Sequence, residues 1–144
     1  MKILGLIVVL CTAASLVACG DNSSGQSGAE AARLVKPDVD FPSGPFPKDL
    51  VINDIKEGSG SSSEIGDKLT LQYLAVDKTG KVAYNSWDER RFPLVYTRDG
   101  EAFFEAWEEG VEGMKVGGRR ELLVPGHLAL GEPLVYVIDL LKIE

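Results

Sequence analysis

Cysteine, histidine and methionine are scarce in this chain, with two, one and two among 144 residues. Cys11 and Cys19 both lie near the amino terminus, far from His127, so neither a Cys-His nucleophile pair nor a thiol or imidazole metal cluster can be assembled from sequence neighbours. No Ser-His-Asp set, no glycine-rich phosphate loop and no internal repeat is present. No metal and no cofactor is implied. His127 stands in a turn between Pro125 and Gly131 and reads as an exposed loop histidine. Positive charge is also short, since 15 Lys and Arg face 22 Asp and Glu, a formal net charge of −7. An acidic body excludes an electrostatic grip on nucleic acid or on anionic lipid.

The one long apolar run, Ile3 to Val17, comes after a minimal positive charge at Lys2 and has the length of a signal-peptide core. Residues 1–18 are expected to be an address removed from the mature protein. Leu16-Val17-Ala18-Cys19 resembles a bacterial lipobox, with small residues before the cysteine and polar Gly20 to Gly28 after it. That resemblance implies cleavage before Cys19, a diacylglycerol on its thiol and acylation of the new amino terminus, and several acyl chains hold far better than one. The alternatives are an uncleaved transmembrane anchor and a secretory signal cut elsewhere. Leu10 is too bulky for a competing site at Cys11. With Cys11 removed and Cys19 lipidated, the mature chain has no disulfide and no free thiol. The expected location is the bacterial cell envelope, anchored to a membrane and facing the periplasm or the exterior.

Residues 19–45 are rich in Gly, Ser, Asn, Ala and Pro, a composition that buries too little surface to hold a fold and is expected to be a tether. Ala29 to Val35 could form a transient helical turn, and Pro37, Pro42, Pro45 and Pro47 stiffen the approach to the first strand. About 25 flexible residues would hold the body on the order of 25 to 30 Å from the membrane. Residues 46–144 then form one domain of a size that commonly folds alone.

Within that domain, strand patterns cover Leu50 to Lys56, Lys68 to Asp77, Val82 to Asn85, Phe92 to Thr97, Arg119 to Val124 and Leu134 to Ile143. Leu69, Leu71 and Tyr73 share one face of the second, and Leu134, Tyr136, Ile138 and Leu140 one face of the last. Asp77-Lys78-Thr79-Gly80 reads as a hairpin turn. A single helix is expected over Ala102 to Gly110, with Phe103, Phe104, Trp107 and Val111 on an aromatic face and Glu101, Glu105, Glu108 and Glu109 mostly opposite. The pattern implies an α+β fold, an antiparallel sheet wrapped around one short helix. Arg119 and Arg120 read as solvated strand-edge charges, and Trp87 either as pocket rim or as local packing.

The order of words from Trp107 onward, Glu-Glu-Gly-Val, Gly-Met-Lys-Val-Gly, Arg-Arg, an apolar run with Pro, Leu-Ala-Leu-Gly and a terminal strand ending Asp-Leu-Leu-Lys-Ile-Glu, resembles the FKBP-type peptidyl-prolyl isomerases over about Leu50 to Glu144. Gly66-Asp67 before the second strand and Tyr84-Asn85-Ser86 after the Gly80 turn agree with it. The resemblance implies the FKBP fold, proline-containing polypeptides as partners and a monomer. It places Trp107 under the proline ring, with Tyr73, Tyr84 and Tyr136 as aromatic walls. Phe103 and Phe104 stand where the family has two aliphatic residues, the second offering its backbone N–H to the ligand carbonyl. Phe92 or Leu94 fills one further wall position.

Rotation about an X-Pro bond needs no nucleophile, metal or proton shuttle, because its barrier of about 18 to 20 kcal/mol is lost amide resonance. A dry apolar cradle favours the twisted amide, whose charge separation is smaller. Three positions depart from the family pattern. Asn85 replaces an Asp, Leu130 replaces the Tyr of Ala-Tyr-Gly, and Glu132-Pro133 alone remain where the family has a long lid loop. The expectation is an isomerase assisting folding of envelope or secreted proteins, binding macrolides only weakly. The alternatives are a lipid-tethered module that grips proline or apolar segments without turning them, and a structural envelope component with no pocket function. The missing lid predicts a shallow open groove over Trp107, rimmed by Tyr73, Tyr84, Asn85, Leu130 and Tyr136, as the main apolar concavity.

Overall fold

The computed structural model describes residues 35–88, 92–99 and 105–144. Its strands are β1 (Val51–Lys56), β2 (Lys68–Asp77), β3 (Val82–Asn85), β4 (Leu94–Thr97), β5 (Arg119–Val124) and β6 (Leu134–Ile143), with helix α1 (Glu105–Val111) between β4 and β5 and a 3-10 turn at Gly126–Leu128. All pairings are antiparallel, in the order β1-β5-β6-β2-β3, with β4 beside β2 as well. The fold is the expected α+β one, an antiparallel sheet against one short helix.

Alternation along the two long central strands explains the layers. Leu69, Leu71 and Ala75 of β2, Leu122 and Val124 of β5, and Leu134, Tyr136, Ile138 and Leu140 of β6 face Ala106, Trp107 and Val111 of the helix. A bulge opposite Thr70-Leu71 adds one residue to β6, so that Leu140 and Ile143 both turn inward despite their odd spacing. Asp77 closes the β2–β3 hairpin by accepting from the Gly80 N–H at 2.9 Å, and Gly80 takes the φ of +77° that this turn needs.

A helix of seven residues is too short to stand on propensity, so its burial and its ends decide whether it forms. Its C-terminal carbonyls are satisfied from two sides. The Ser63 hydroxyl donates to the Val111 carbonyl, and the Arg120 guanidinium donates to the carbonyls of Gly110 and Glu112, each at 2.9 Å. Gly113, at φ +64°, ends the helix. Arg120 also pairs with Asp54 of β1 at 2.7 Å, and Arg119 forms a two-pronged pair with Asp139 of β6 at 2.6 and 2.8 Å. Neither arginine is the solvated edge charge expected of it, because the β1-β5-β6 order sets a carboxylate beside each.

The outer face of the sheet is covered by the segment before β1. Val39 is buried among Leu74, Val76, Val135 and Val137, and Phe41, Phe46 and Trp87 pack on the same cluster. Phe41 and Phe46 stack with ring centroids 4.9 Å apart. Lys36 pairs with Asp88, and Arg119 donates to the Val35 carbonyl. Residues 35–45, expected to belong to the tether, are thus a strap on the sheet. Both faces of β2 and β6 are apolar, and an uncovered outer face would leave valines and a tryptophan in water. Trp87 serves this packing and not the pocket rim.

Candidate functional site

Trp107 is the centre of the inner-face cluster, only 7% exposed. The helix presents it, and aromatic rings on the sheet flank it edge-on. Tyr73 of β2 lies at 5.2 Å and 80°, and Tyr136 of β6 at 5.6 Å and 83°. Such near-perpendicular packing is a favourable arrangement of aromatic rings. Tyr84 stacks on Tyr136 at 6.5 Å with rings nearly parallel. Burial, reinforced by Tyr84 and Tyr73, holds the Tyr136 hydroxyl well above the usual phenol range, so it is a neutral group at any physiological pH. The indole N–H is sealed from solvent, and its interaction with the Tyr136 hydroxyl partly offsets the effect of burial there.

Tyr84, Ala106, Trp107, Val124, Leu128, Ala129, Leu130, Leu134 and Tyr136 line a narrow cleft with about 10 Å³ of room. The expected groove over Trp107 is present but tighter than expected. The chain from Gly126 to Gly131 folds back on itself instead of leaving the space open: the Gly126 carbonyl accepts from both Ala129 and Gly131, and a Cβ on Gly126 would come within 2.7 Å of the Gly131 oxygen. This closure brings Leu128 and Ala129 to the cleft and turns Leu130 outward, 74% exposed at its mouth. A wider groove of about 320 Å³ lies next to it, with Asp77, Lys78, Thr79 and Glu132 as half of its lining, whereas the lining of the cleft over Trp107 is apolar and aromatic throughout.

The other expected residues separate. Tyr73 walls the indole from below without lining the cleft. Asn85 is 5% exposed, and its side-chain oxygen accepts the Trp87 N–H at 2.7 Å, so its amide is engaged in the turn and does not rim the cleft. Phe92 is 84% exposed and Leu94 lies outside the cleft, whereas Tyr96, two residues on and paired with Leu69, packs on the core. Phe103, Phe104 and Cys19 lie outside the described residues.

Sequence reasoning did not single out the residues that hold the walls. Ser86 is buried and its hydroxyl accepts the Tyr73 N–H at 2.8 Å, while its own N–H donates to the Tyr73 carbonyl at 2.9 Å, which pins that residue's backbone. Arg98 is 4% exposed, reaches Glu108 at 3.1 Å and donates to the Ser63 carbonyl, tying the residue after Trp107 to the end of β4. The Tyr84-Asn85-Ser86 word contained the first signal, but Arg98 in a polar stretch gave none. Among the described residues no three His, Cys, Asp or Glu side chains gather in a way that could hold a metal ion. What the site offers is shape and an apolar aromatic surface.

Comparison with known proteins gives the same answer as the geometry. The family model described as FKBP-type peptidyl-prolyl cis-trans isomerase matches residues 60–137. An FK506-binding protein of Streptomyces anulatus is 40% identical over an alignment covering 76% of this chain and 98% of that protein. A probable FK506-binding protein of Corynebacterium glutamicum is 39% identical with 76% and 99% covered. Among solved structures, FkpA from Escherichia coli superimposes with a TM-score of 0.59 at 26% identity, covering 81% of this chain and 57% of that one. AtFKBP13 superimposes with a TM-score of 0.60 at 21% identity, covering 69% and 96%, a likeness of fold. An indole cradled by tyrosines between one short helix and an antiparallel sheet, with this agreement in sequence along nearly the whole of two relatives, means that the chain belongs to the FKBP-type peptidyl-prolyl cis-trans isomerase family.

Proposed function

We propose that this protein accelerates cis–trans rotation of X-Pro bonds in envelope or secreted polypeptides, with the proline ring entering the narrow cleft over Trp107 as its walls part to admit it. The observation that carries this reading is the buried indole at the base of an apolar cleft, with Tyr73 and Tyr136 packed nearly perpendicular to it. The cradle is apolar, so it stabilises the twisted amide, whose dipole is smaller, over the planar one. No proton changes hands.

The test is a protease-free exchange assay on an Ala-Leu-Pro-Phe peptide. Acceleration above the uncatalysed exchange, which takes tens to hundreds of seconds, is expected at micromolar protein, and Trp107→Leu reduces it. No acceleration refutes the reading.

Asn85 favours a second reading, a module that binds proline or apolar segments without turning them. The family's carboxylate is replaced by an amide already committed to Trp87. In that case Trp fluorescence responds to peptide while exchange rates stay at the uncatalysed value. Macrolide binding, by similarity to relatives named for FK506, is proposed to be weak, because nothing takes the place of the lid. The proposed site of action is the cell envelope, reached through a lipid on Cys19. Labelling with a radioactive fatty acid tests it, and label retained by Cys19→Ala refutes it.

A further inference from the structure

The wider groove, of about 320 Å³, is lined by Asp77, Lys78 and Thr79 of the hairpin turn, Ala83 and Tyr84 of β3, and Leu130, Glu132 and Leu134. It is continuous with the cleft over Trp107, since Tyr84, Leu130 and Leu134 line both. A polypeptide whose proline sits on the indole extends by about 3.3 to 3.6 Å per residue, so a neighbour one or two positions along crosses Tyr84 and Leu130 and enters this groove.

We propose that the groove is a second subsite, which takes an arginine or lysine near the bound proline. The inference rests on the reading of the cleft as the proline site. The floor of Ala83, Tyr84, Leu130 and Leu134 is apolar and open, with Tyr84 39% and Leu130 74% exposed. Long basic side chains lay their aliphatic stems along such a surface and keep the charged head at its edge. A guanidinium also stacks on a tyrosine ring. The lining itself carries two carboxylates, Asp77 and Glu132, against one ammonium, Lys78, while Lys81, also close enough to act on Asp77, lies outside the lining. Asp77 is held below the usual carboxylate range by bonds from the Thr79 hydroxyl and N–H, which keeps it charged. Glu132 pairs with Lys78 at 2.6 Å, but the side chains are 65% and 58% exposed, so the pair is solvent-screened and open to exchange. A cationic side chain gains a partner without leaving any of these charges uncompensated. An acidic one has to draw Lys78 from Glu132 and meets Asp77.

The experiment is a set of peptides in which Arg, Gln or Glu occupies, in turn, each of the two positions on either side of one proline, measured by exchange rate and by Trp fluorescence titration. At one of those positions the Arg peptide is expected to exceed the Glu peptide by about two- to fivefold at low salt, the range of an exposed ion pair, with the ratio shrinking at high salt. Glu132→Lys, a surface change outside the cleft, reverses the order, and Glu132→Gln reduces it. Equal values for Arg, Gln and Glu at all four positions overturn the subsite and leave the isomerase reading standing. An unchanged order in Glu132→Lys overturns it too. If no peptide is accelerated, the isomerase reading falls, and the ranking of affinities in the titration still decides on the subsite.

Discussion

Replacing Arg119 by Met is expected to be among the most damaging single changes outside the site. Asp139 is 1% exposed on the outer face of β6, directly opposite Arg119 in the β5–β6 register. Arg119 grips it with two nitrogens at 2.6 and 2.8 Å. Even so paired, the Asp139 carboxyl titrates above its ordinary value, because burial outweighs the arginine. Removing the arginine leaves the burial and deletes the compensation. Loss of one partner of a buried pair costs about 3 to 5 kcal/mol, out of a total of about 5 to 15 kcal/mol for a domain. At roughly 4 to 8 °C per kcal/mol for about 100 residues, Tm falls by at least about 12 °C.

The pH dependence gives a second, independent sign. A carboxyl whose folded pKa lies above its unfolded one favours folding when protonated, and stability is lost as pH rises from the unfolded pKa to the folded one. Arg119→Met raises the folded pKa of Asp139 further. Its deficit against wild type is therefore largest at neutral pH and shrinks on acidification toward the carboxylate range. Adding Asp139→Leu, which removes the stranded charge, restores most of the loss, apart from about 1 kcal/mol for the bond to the Val35 carbonyl. Urea unfolding of the wild type and the two variants at pH 7 and pH 5 measures this. A deficit below about 1 kcal/mol, or one that grows on acidification, refutes the reasoning.

Leu130→Tyr places a hydroxyl at the exposed mouth of the cleft and is expected to raise kcat/KM by about two- to tenfold, the worth of one hydrogen bond, with the urea midpoint unchanged. Adding Asn85→Asp, which keeps an acceptor for the Trp87 N–H but lies off the cleft, should raise it no further, and a double variant no faster than wild type shows that the absent lid limits the rate. Val39→Asp lifts the strap from Leu74, Val76, Val135 and Val137, at a cost of at least about 1.5 kcal/mol in burial, and speeds tryptic cleavage at Lys48. Gly58→Ala drives a Cβ to 2.3 Å from the Lys115 carbonyl and 2.4 Å from that of Val116, backbone atoms that cannot swing aside, so urea unfolding should show a loss of about 2 to 3 kcal/mol.

Much of this fold is written in local order along the chain. The bounds of β2, β3, β5 and β6 come from apolar alternation and turn residues. The inward faces of β2 and β6 come from parity, and Trp107 as the centre of the site comes from the word order around it. These properties depend on neighbours within a few residues, where period and turn chemistry act. Arg119 and Arg120 look identical in sequence, yet one compensates a buried aspartate and the other caps the helix, because their carboxylates arrive from β6 and β1 through strand order alone. The same holds for the strap, whose prolines and glycines read as a linker until two valine-rich strand faces stand beside it. The width of the cleft was likewise invisible, since it depends on how Gly126 to Gly131 folds back over Trp107, a packing outcome and not a pattern. The groove beside Tyr84 joins side chains from the 77–80 turn and the 130–134 connection, which only the pairing of β2 with β3 and β6 brings together. Periodicity records which way a residue faces, but not what faces it, and partners that are distant in sequence are set by the closure of the sheet.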